Sequence, residues 1–155
     1  MLRTVRASLD GLKASRGRLA IIGSVAGYIA TPGASPYSMS KFAVSGLAQA
    51  LSYELAPAGV SVTLLTPGYV ESELRRVDNR GVFRAESREP ISAWLVMPAP
   101  RAARQIVRAI AHRRREVVIT GHGKLGVFMQ RHAPWLVAAT IRLAGLRARP
   151  EPVQR

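Results

Sequence analysis

Three residues near the start of the chain could move a proton between them: Ser24, Tyr37 and Lys41. Tyr37 and Lys41 stand four positions apart, so on a helix they share one face. A free phenol has a pKa of about 10 and is a poor acid–base catalyst near neutrality. A neighbouring ammonium favours the phenolate, and the positive end of a helix acts in the same direction on a residue of its first turn. A phenol poised in this way can give a proton to a carbonyl oxygen or take one from an alcohol. Ser24 closes an apolar run and could hold that same oxygen with its hydroxyl. The plain alternative for Tyr-x-x-x-Lys is one packed ring and one solvated amine, and the spacing alone does not choose between them.

The surrounding elements decide whether these side chains can meet. Leu2, Val5, Leu9 and Leu12 recur at helical spacing, and Gly17 ends that segment. The run RLAIIGS, residues 18–24, predicts a buried strand that ends at Ser24. Ser35 and Pro36 predict a helix cap and a first-turn proline, with a helix of small residues over 36–55. VSVTLLTP, 60–67, predicts a second strand stopped by Pro67-Gly68. Residues 98–115 carry a helical stripe of Ala102, Ile106, Ala109 and Ile110, and EVVIT, 116–120, predicts a third strand followed by helix broken at Pro134. Strands alternating with helices imply right-handed crossovers and a parallel sheet. Continuous apolar strands imply burial on both sheet faces. Ligands of such sheets sit beyond the carboxyl ends of the strands. Ser24, Pro67-Gly68 and the glycines after Thr120 all fall there.

Around these residues the sequence resembles the short-chain dehydrogenase/reductase family. The resemblance is carried by GRLAIIGSVAG and by SPYSMSKFAVSGLAQALSYELAPAGVSVTLLTPGYVESEL, and runs from Gly17 to about Leu74. It implies an α/β fold, a partial Rossmann-like, doubly wound parallel sheet of about three strands with flanking helices. The resemblance implies Tyr37 as general acid–base, Lys41 lowering its pKa and bonding the nicotinamide ribose, and Ser24 orienting the carbonyl or alcohol. Pro67 and Gly68 would lie beside the nicotinamide, with Val70 also among the cofactor-binding residues. Ser72 takes the place where such enzymes often have a Thr contacting the carboxamide or phosphates. The implied reaction is hydride exchange between NAD or NADP and a carbonyl/alcohol pair. The helix at 36–55 resembles the one this family uses for oligomer contacts.

On this reading residues 1–155 are a single domain. Residues 1–70 form the catalytic core segment, 71–98 a substrate-binding loop or lid, and 99–155 a C-terminal helix–strand–helix. Phe83, Trp94 and Met97 in the lid suggest an apolar carbonyl compound. The family's glycine-rich nucleotide loop, T-G-x-x-x-G-x-G, has no counterpart in these residues, nor does its Asn-Ala-Gly turn. A frequent fourth catalytic residue of the family, an Asn near the start of the helix before the Ser24 strand, is also missing. Asn79 is the sole Asn and falls in the lid. The expectation is therefore a truncated chain that opens inside the helix before the catalytic-serine strand and leaves one sheet edge without its neighbours. GHGKLG, 121–126, matches G-x-G-x-x-G in letters. It lacks the following strand and the ribose-binding acid, so a tight exit from the last strand is expected instead.

Composition bounds the other possibilities. Nearly half of the 155 residues, 48%, are hydrophobic, which suits one domain with a real core. With no cysteine there is no disulfide, thiolate metal site or cysteine nucleophile, as suits a cytoplasmic protein. His112, His122 and His132 stand ten apart, which is no metal-ligand spacing, and GSVAG is not the G-x-S-x-G of a serine hydrolase. The net charge of +14 is concentrated at the end: residues 101–155 hold 12 Arg or Lys against Glu116 and Glu151. No aromatics interleave with these arginines, so a nucleic-acid partner is not expected. Weak association with a membrane surface is compatible with the charge and with the apolar stretch 132–146. A catalytically inactive paralogue assembling with full-length subunits is the other alternative to an enzyme.

Overall fold

The computed structural model describes residues 1–72 and 91–143. Three strands, β1 (Arg18–Ile22), β2 (Ser61–Thr66) and β3 (Glu116–Val118), form one parallel sheet in the order β1-β2-β3. The register runs from Arg18 opposite Ser61 to Ile22 opposite Leu65, and from Leu64 opposite Glu116 to Thr66 opposite Val118. Helices α1 (Leu2–Ser15), α2 (Ser35–Glu54) and α3 (Ala99–Ala111) connect or flank these strands, and α4 (Gly121–His132) and α5 (Pro134–Leu143) follow β3. The expected parallel α/β sheet is present, with β1 at one edge.

Two apolar clusters hold the helices on the sheet. Val5, Leu9 and Leu12 of α1 and Ala48 and Leu51 of α2 pack with Ile21, Val62 and Leu64 on one face. Ala102 and Ala109 of α3 pack with Leu65 and Ile119 on the other, joined by Ile106 and Ile110. Odd and even positions of β2 point to opposite faces, so this strand feeds both clusters and is buried almost throughout. For β1 the expectation of burial on both faces fails. Ile21 is buried, but Arg18, Ala20 and Ile22 of the opposite face are exposed. The physical reason is coverage: α3 reaches β2 and β3 but no described helix lies over β1 on that side.

Several boundaries differ from the sequence reading. Ser35 is not the cap of α2 but its first residue; Ala34 is the cap, without a side-chain hydrogen bond, and Pro36 sits in the first turn. The third helix stops at Ala111 because Arg113 turns left-handed, with φ of 50°. The segment 121–126 is no loop leaving the strand: it is the start of α4, capped by Thr120, whose side chain accepts from the Gly123 N–H. Gly123 is there for packing. A Cβ would come within 2.9 Å of Val25 and 2.7 Å of the Thr120 hydroxyl. Of the lid, Trp94 lies in a short 3-10 turn, Ala93–Leu95, and is exposed, and Met97 is half-buried. Phe83, Asn79 and most of the lid lie outside the described residues, as do residues 144–155.

Candidate active site

β1 ends one residue short of Gly23, whose N–H still donates to the Leu65 carbonyl at 2.7 Å and prolongs the pairing with β2. Ser24 follows in extended backbone and caps a 3-10 turn, Val25–Gly27. Its Oγ accepts from the Ala26 N–H at 3.2 Å. A hydroxyl that accepts from its own turn still holds its proton for donation elsewhere. The next residue ties the turn to the neighbouring strand exit, because the Val25 N–H donates to the Pro67 carbonyl at 3.0 Å. Ser24 and Pro67 therefore sit on two adjoining loops that share a backbone hydrogen bond.

The same turn is pressed onto α2. Gly27 is buried, and a Cβ there would stand 2.7 Å from both the Lys41 carbonyl and the Ser45 hydroxyl. Real Cβ atoms do not approach backbone so closely, so only glycine allows this contact. It lies against the turn of α2 that carries Lys41. One turn earlier, Tyr37 is the third residue of α2, with a ring 51% exposed. Lys41 is half-buried, and its Nζ lies 5.6 Å from the centre of the Tyr37 ring. The Lys41 amine and the Tyr37 ring thus lie on one face of α2. An exposed phenol at the start of a helix, with an amine beside its ring, can exchange a proton with a ligand arriving from solvent.

The cofactor-binding candidates after β2 fall into two groups. Pro67 and Gly68 are half-buried at the carboxyl end of β2. Gly68 is held against the start of α4, since a Cβ there would run into the Thr120 hydroxyl and the His122 ring. Val70 forms an isolated parallel bridge with Met97, and Ser72 is exposed at the end of the described stretch. The structure thus joins the turn that follows Ser24 to Pro67 through the Val25 N–H and to the Lys41 turn through Gly27, and joins Gly68 to α4.

His122 was read only as one of three evenly spaced histidines, and the structure gives it more to do. Its Nε2 accepts from the Tyr69 N–H at 3.2 Å and lies 3.1 Å from the Thr120 Oγ1. The Tyr69 and His122 rings stack, with centroids 5.2 Å apart. Burial pushes the His122 pKa down from its ordinary value. His122 and Thr120 also border a cavity of about 450 Å³ with Trp94, Met97 and Arg101. The sequence signal for this was slight: a histidine two residues after a strand's carboxyl end, where ligand loops gather. Elsewhere, Tyr28 packs under the Arg131 guanidinium, 5.2 Å from the ring centre, and Arg131 bonds Glu116 at 2.7 Å. Burial and the Glu116 carboxylate raise the Tyr28 pKa, so its phenol stays protonated.

The family described as short chain dehydrogenase matches residues 1–82, which include all seven candidate site residues. The chain is 32% identical over 133 residues to dehydrogenase/reductase SDR family member 7B of Xenopus tropicalis, covering 79% of this chain and 40% of that protein. It is 31% identical over 146 residues to 11-beta-hydroxysteroid dehydrogenase A of Sesamum indicum, covering 91% of this chain and 42% of that one. The chain thus spans about two-fifths of the length of these curated relatives. In fold it overlays a short chain dehydrogenase from Burkholderia cenocepacia, solved in complex with NADP, with a TM-score of 0.75 at 21% identity, covering 90% of this chain and 55% of that one. A matched stretch of more than half the chain, reaching from α1 past the exit of β2, makes the protein a member of the short-chain dehydrogenase family.

Proposed function

We propose that these residues form the proton-transfer half of an NAD- or NADP-dependent oxidoreductase acting on a carbonyl/alcohol pair. The observation that carries the proposal is the Tyr37–Lys41 pair at the start of α2, held against the Ser24 turn by Gly27. Tyr37 gives its phenolic proton to the carbonyl oxygen in reduction and takes one from the alcohol in oxidation. Lys41, with its amine beside the Tyr37 ring, reaches the ribose of the cofactor. Ser24 donates its remaining hydroxyl hydrogen to the same substrate oxygen.

The residues present suit the nicotinamide end of such a cofactor. The strand exit at Pro67-Gly68 carries no protruding side chain, since the Pro67 carbonyl is bonded to Val25 and Gly68 abuts α4. Val70 and Ser72 continue that exit toward the cofactor. When bound, the nicotinamide supplies or accepts the hydride. The glycine-rich segment of α4 is the first turns of a helix rather than a loop between two strands, and its Gly123 is packed against Val25 and Thr120. The substrate is an apolar carbonyl compound entering past Trp94 and Met97. A second copy binds through the exposed Met39, Phe42 and Tyr53 of α2, and the protein works in the cytoplasm.

The test titrates NADH and NADPH into the purified chain, alone and mixed with a full-length family member, and follows carbonyl reduction through loss of reduced-nicotinamide absorbance. Tyr37→Phe should cost roughly 10²–10⁴-fold in turnover. Its unfolding midpoint should not move, because the ring is half-exposed. Turnover that survives Tyr37→Phe removes the assigned acid–base. Neither binding nor turnover in either mixture overturns the enzymatic reading altogether.

A further inference from the structure

α5 is an apolar helix that packs on α4 through partly buried residues and leaves the rest of its surface open. Its sequence is PWLVAATIRL, and none of its ten residues is buried. Trp135 is 68% exposed and Leu143 87% exposed, with Leu136 also open to solvent. Trp135, Leu136, Arg142 and Leu143 are one, six, seven or eight positions apart, which at 3.6 residues per turn sets them within about one third of the helix circumference. The preceding helix continues the pattern. Leu125 and Phe128 of α4, packed against α5, are each about 60% exposed, and Lys124 stands beside them.

The charge on this surface has one sign. From Val117 to Pro150 there is no Asp or Glu, while Lys124, Arg131 and Arg142 punctuate the apolar residues. Arg131 is exposed too but paired with Glu116, which leaves Lys124 and Arg142 as the exposed cations of the two helices outside that pair. A second copy of the chain is a poor cover for this face, because a two-fold contact here would set Lys124 and Arg142 of one copy against the same cations of the other. An anionic lipid surface meets both requirements: acyl chains take up Trp, Leu and Phe, and headgroups neutralise the cations. No described helix is long and apolar enough to cross a membrane.

The geometry points to α4 and α5 as a monotopic docking surface that lays Leu125, Phe128, Trp135, Leu136 and Leu143 into an anionic membrane interface, with Lys124 and Arg142 at headgroup level. Trp94 and Trp135 are the two tryptophans, so Trp94→Phe leaves Trp135 as the sole reporter. The experiment mixes this full-length variant with vesicles of phosphatidylcholine alone and with vesicles containing phosphatidylglycerol. Co-sedimentation with the anionic vesicles is expected, with a blue shift of Trp135 emission and at least tenfold weaker binding at high salt. Adding Leu136→Asp and Leu143→Asp should cut binding by a further tenfold or more. Their exposed positions leave the circular dichroism and the unfolding midpoint in place. The proposal is overturned by absent binding, by equal binding to neutral vesicles, or by undiminished binding of the double aspartate variant. It also falls if the blue shift occurs without vesicles and tracks dimer formation, since a second copy then covers the face.

Discussion

A tyrosine and a lysine one helical turn apart become a proton-transfer device only if their helix starts at the right place and a second polar group is brought to it. Both conditions were visible in residue types: a proline in the first turn, and a serine closing an apolar strand. The role of His122 was not visible, because its hydrogen-bond donor is the Tyr69 N–H, 53 positions away in sequence. That bond makes a pH prediction. With Nε2 accepting from Tyr69, the Thr120 hydroxyl must donate to it as well, and the ring is neutral with its proton on Nδ1. Burial lowers the folded-state pKa below that of the unfolded chain, about 6.5. Between the two values the unfolded chain holds the extra proton. The stabilising contribution is therefore complete above about pH 6.5 and is lost as the pH falls through the folded pKa. Urea midpoints measured downward from neutrality should fall before the carboxylates titrate, and His122→Gln should flatten that part of the profile. An unchanged slope in His122→Gln would mean that the ring is already protonated or free of Tyr69.

At the scale of elements, the helices and strands among the described residues are of the types the periodicities predict, except at 121–126, and the other errors lie at ends. Ends depend on hydrogen bonds that local sequence does not specify. The cap of α2 fell to Ala34 instead of Ser35. Arg113, one of many arginines, turned out to join two chain reversals by donating to the carbonyls of Arg16 and Gly59, each at 3.0 Å. Both acceptors sit in left-handed backbone where a helical turn ends and carbonyls lack partners. Arg113→Ala should destabilise the fold by about 1 kcal/mol, the value for two solvent-facing, charge-assisted bonds. Arg114→Ala is the control, expected to stay within about 0.5 kcal/mol. Equal effects would reduce both to scattered surface charge. Gly27 makes a sharper prediction. Its closeness to the Lys41 carbonyl means that alanine must push the Ser24 turn away from α2. Gly27→Ala should cost about 1–3 kcal/mol in stability. It should lower turnover further than that loss of folded protein explains, by separating Ser24 from Tyr37. Wild-type turnover in a destabilised Gly27→Ala would detach Ser24 from the reaction.

The molecule as a whole is asymmetric in its coverage. Parallel sheets are ordinarily sealed by helices on both faces, and here α1 and α2 seal one face while α3 seals only the β2–β3 part of the other. Beyond β1 no described strand pairs with its outer edge, and on its open face Ile22, the last of the row Arg18, Ala20 and Ile22, is 52% exposed. The overlaid Burkholderia enzyme has nearly as much chain again outside the matched part, since this chain covers 55% of it. The sequence reading anticipated an unpaired edge from the missing glycine-rich loop, but not the open face, because RLAII reads as continuously apolar whichever side is covered. An apolar residue on an unpaired strand edge promotes association. Ile22→Lys tests what that face does. In the isolated chain the substitution should change unfolding free energy by no more than about 0.5 kcal/mol, since the side chain is half in water already. Sedimentation velocity should show the concentration-dependent association of the parent reduced. In a mixture with a full-length family member, the same lysine should weaken any complex that covers β1, while leaving a complex formed through α2 intact. A loss above about 2 kcal/mol in the isolated chain would place Ile22 in a buried contact, and β1 would then be an interior strand with its second face already covered.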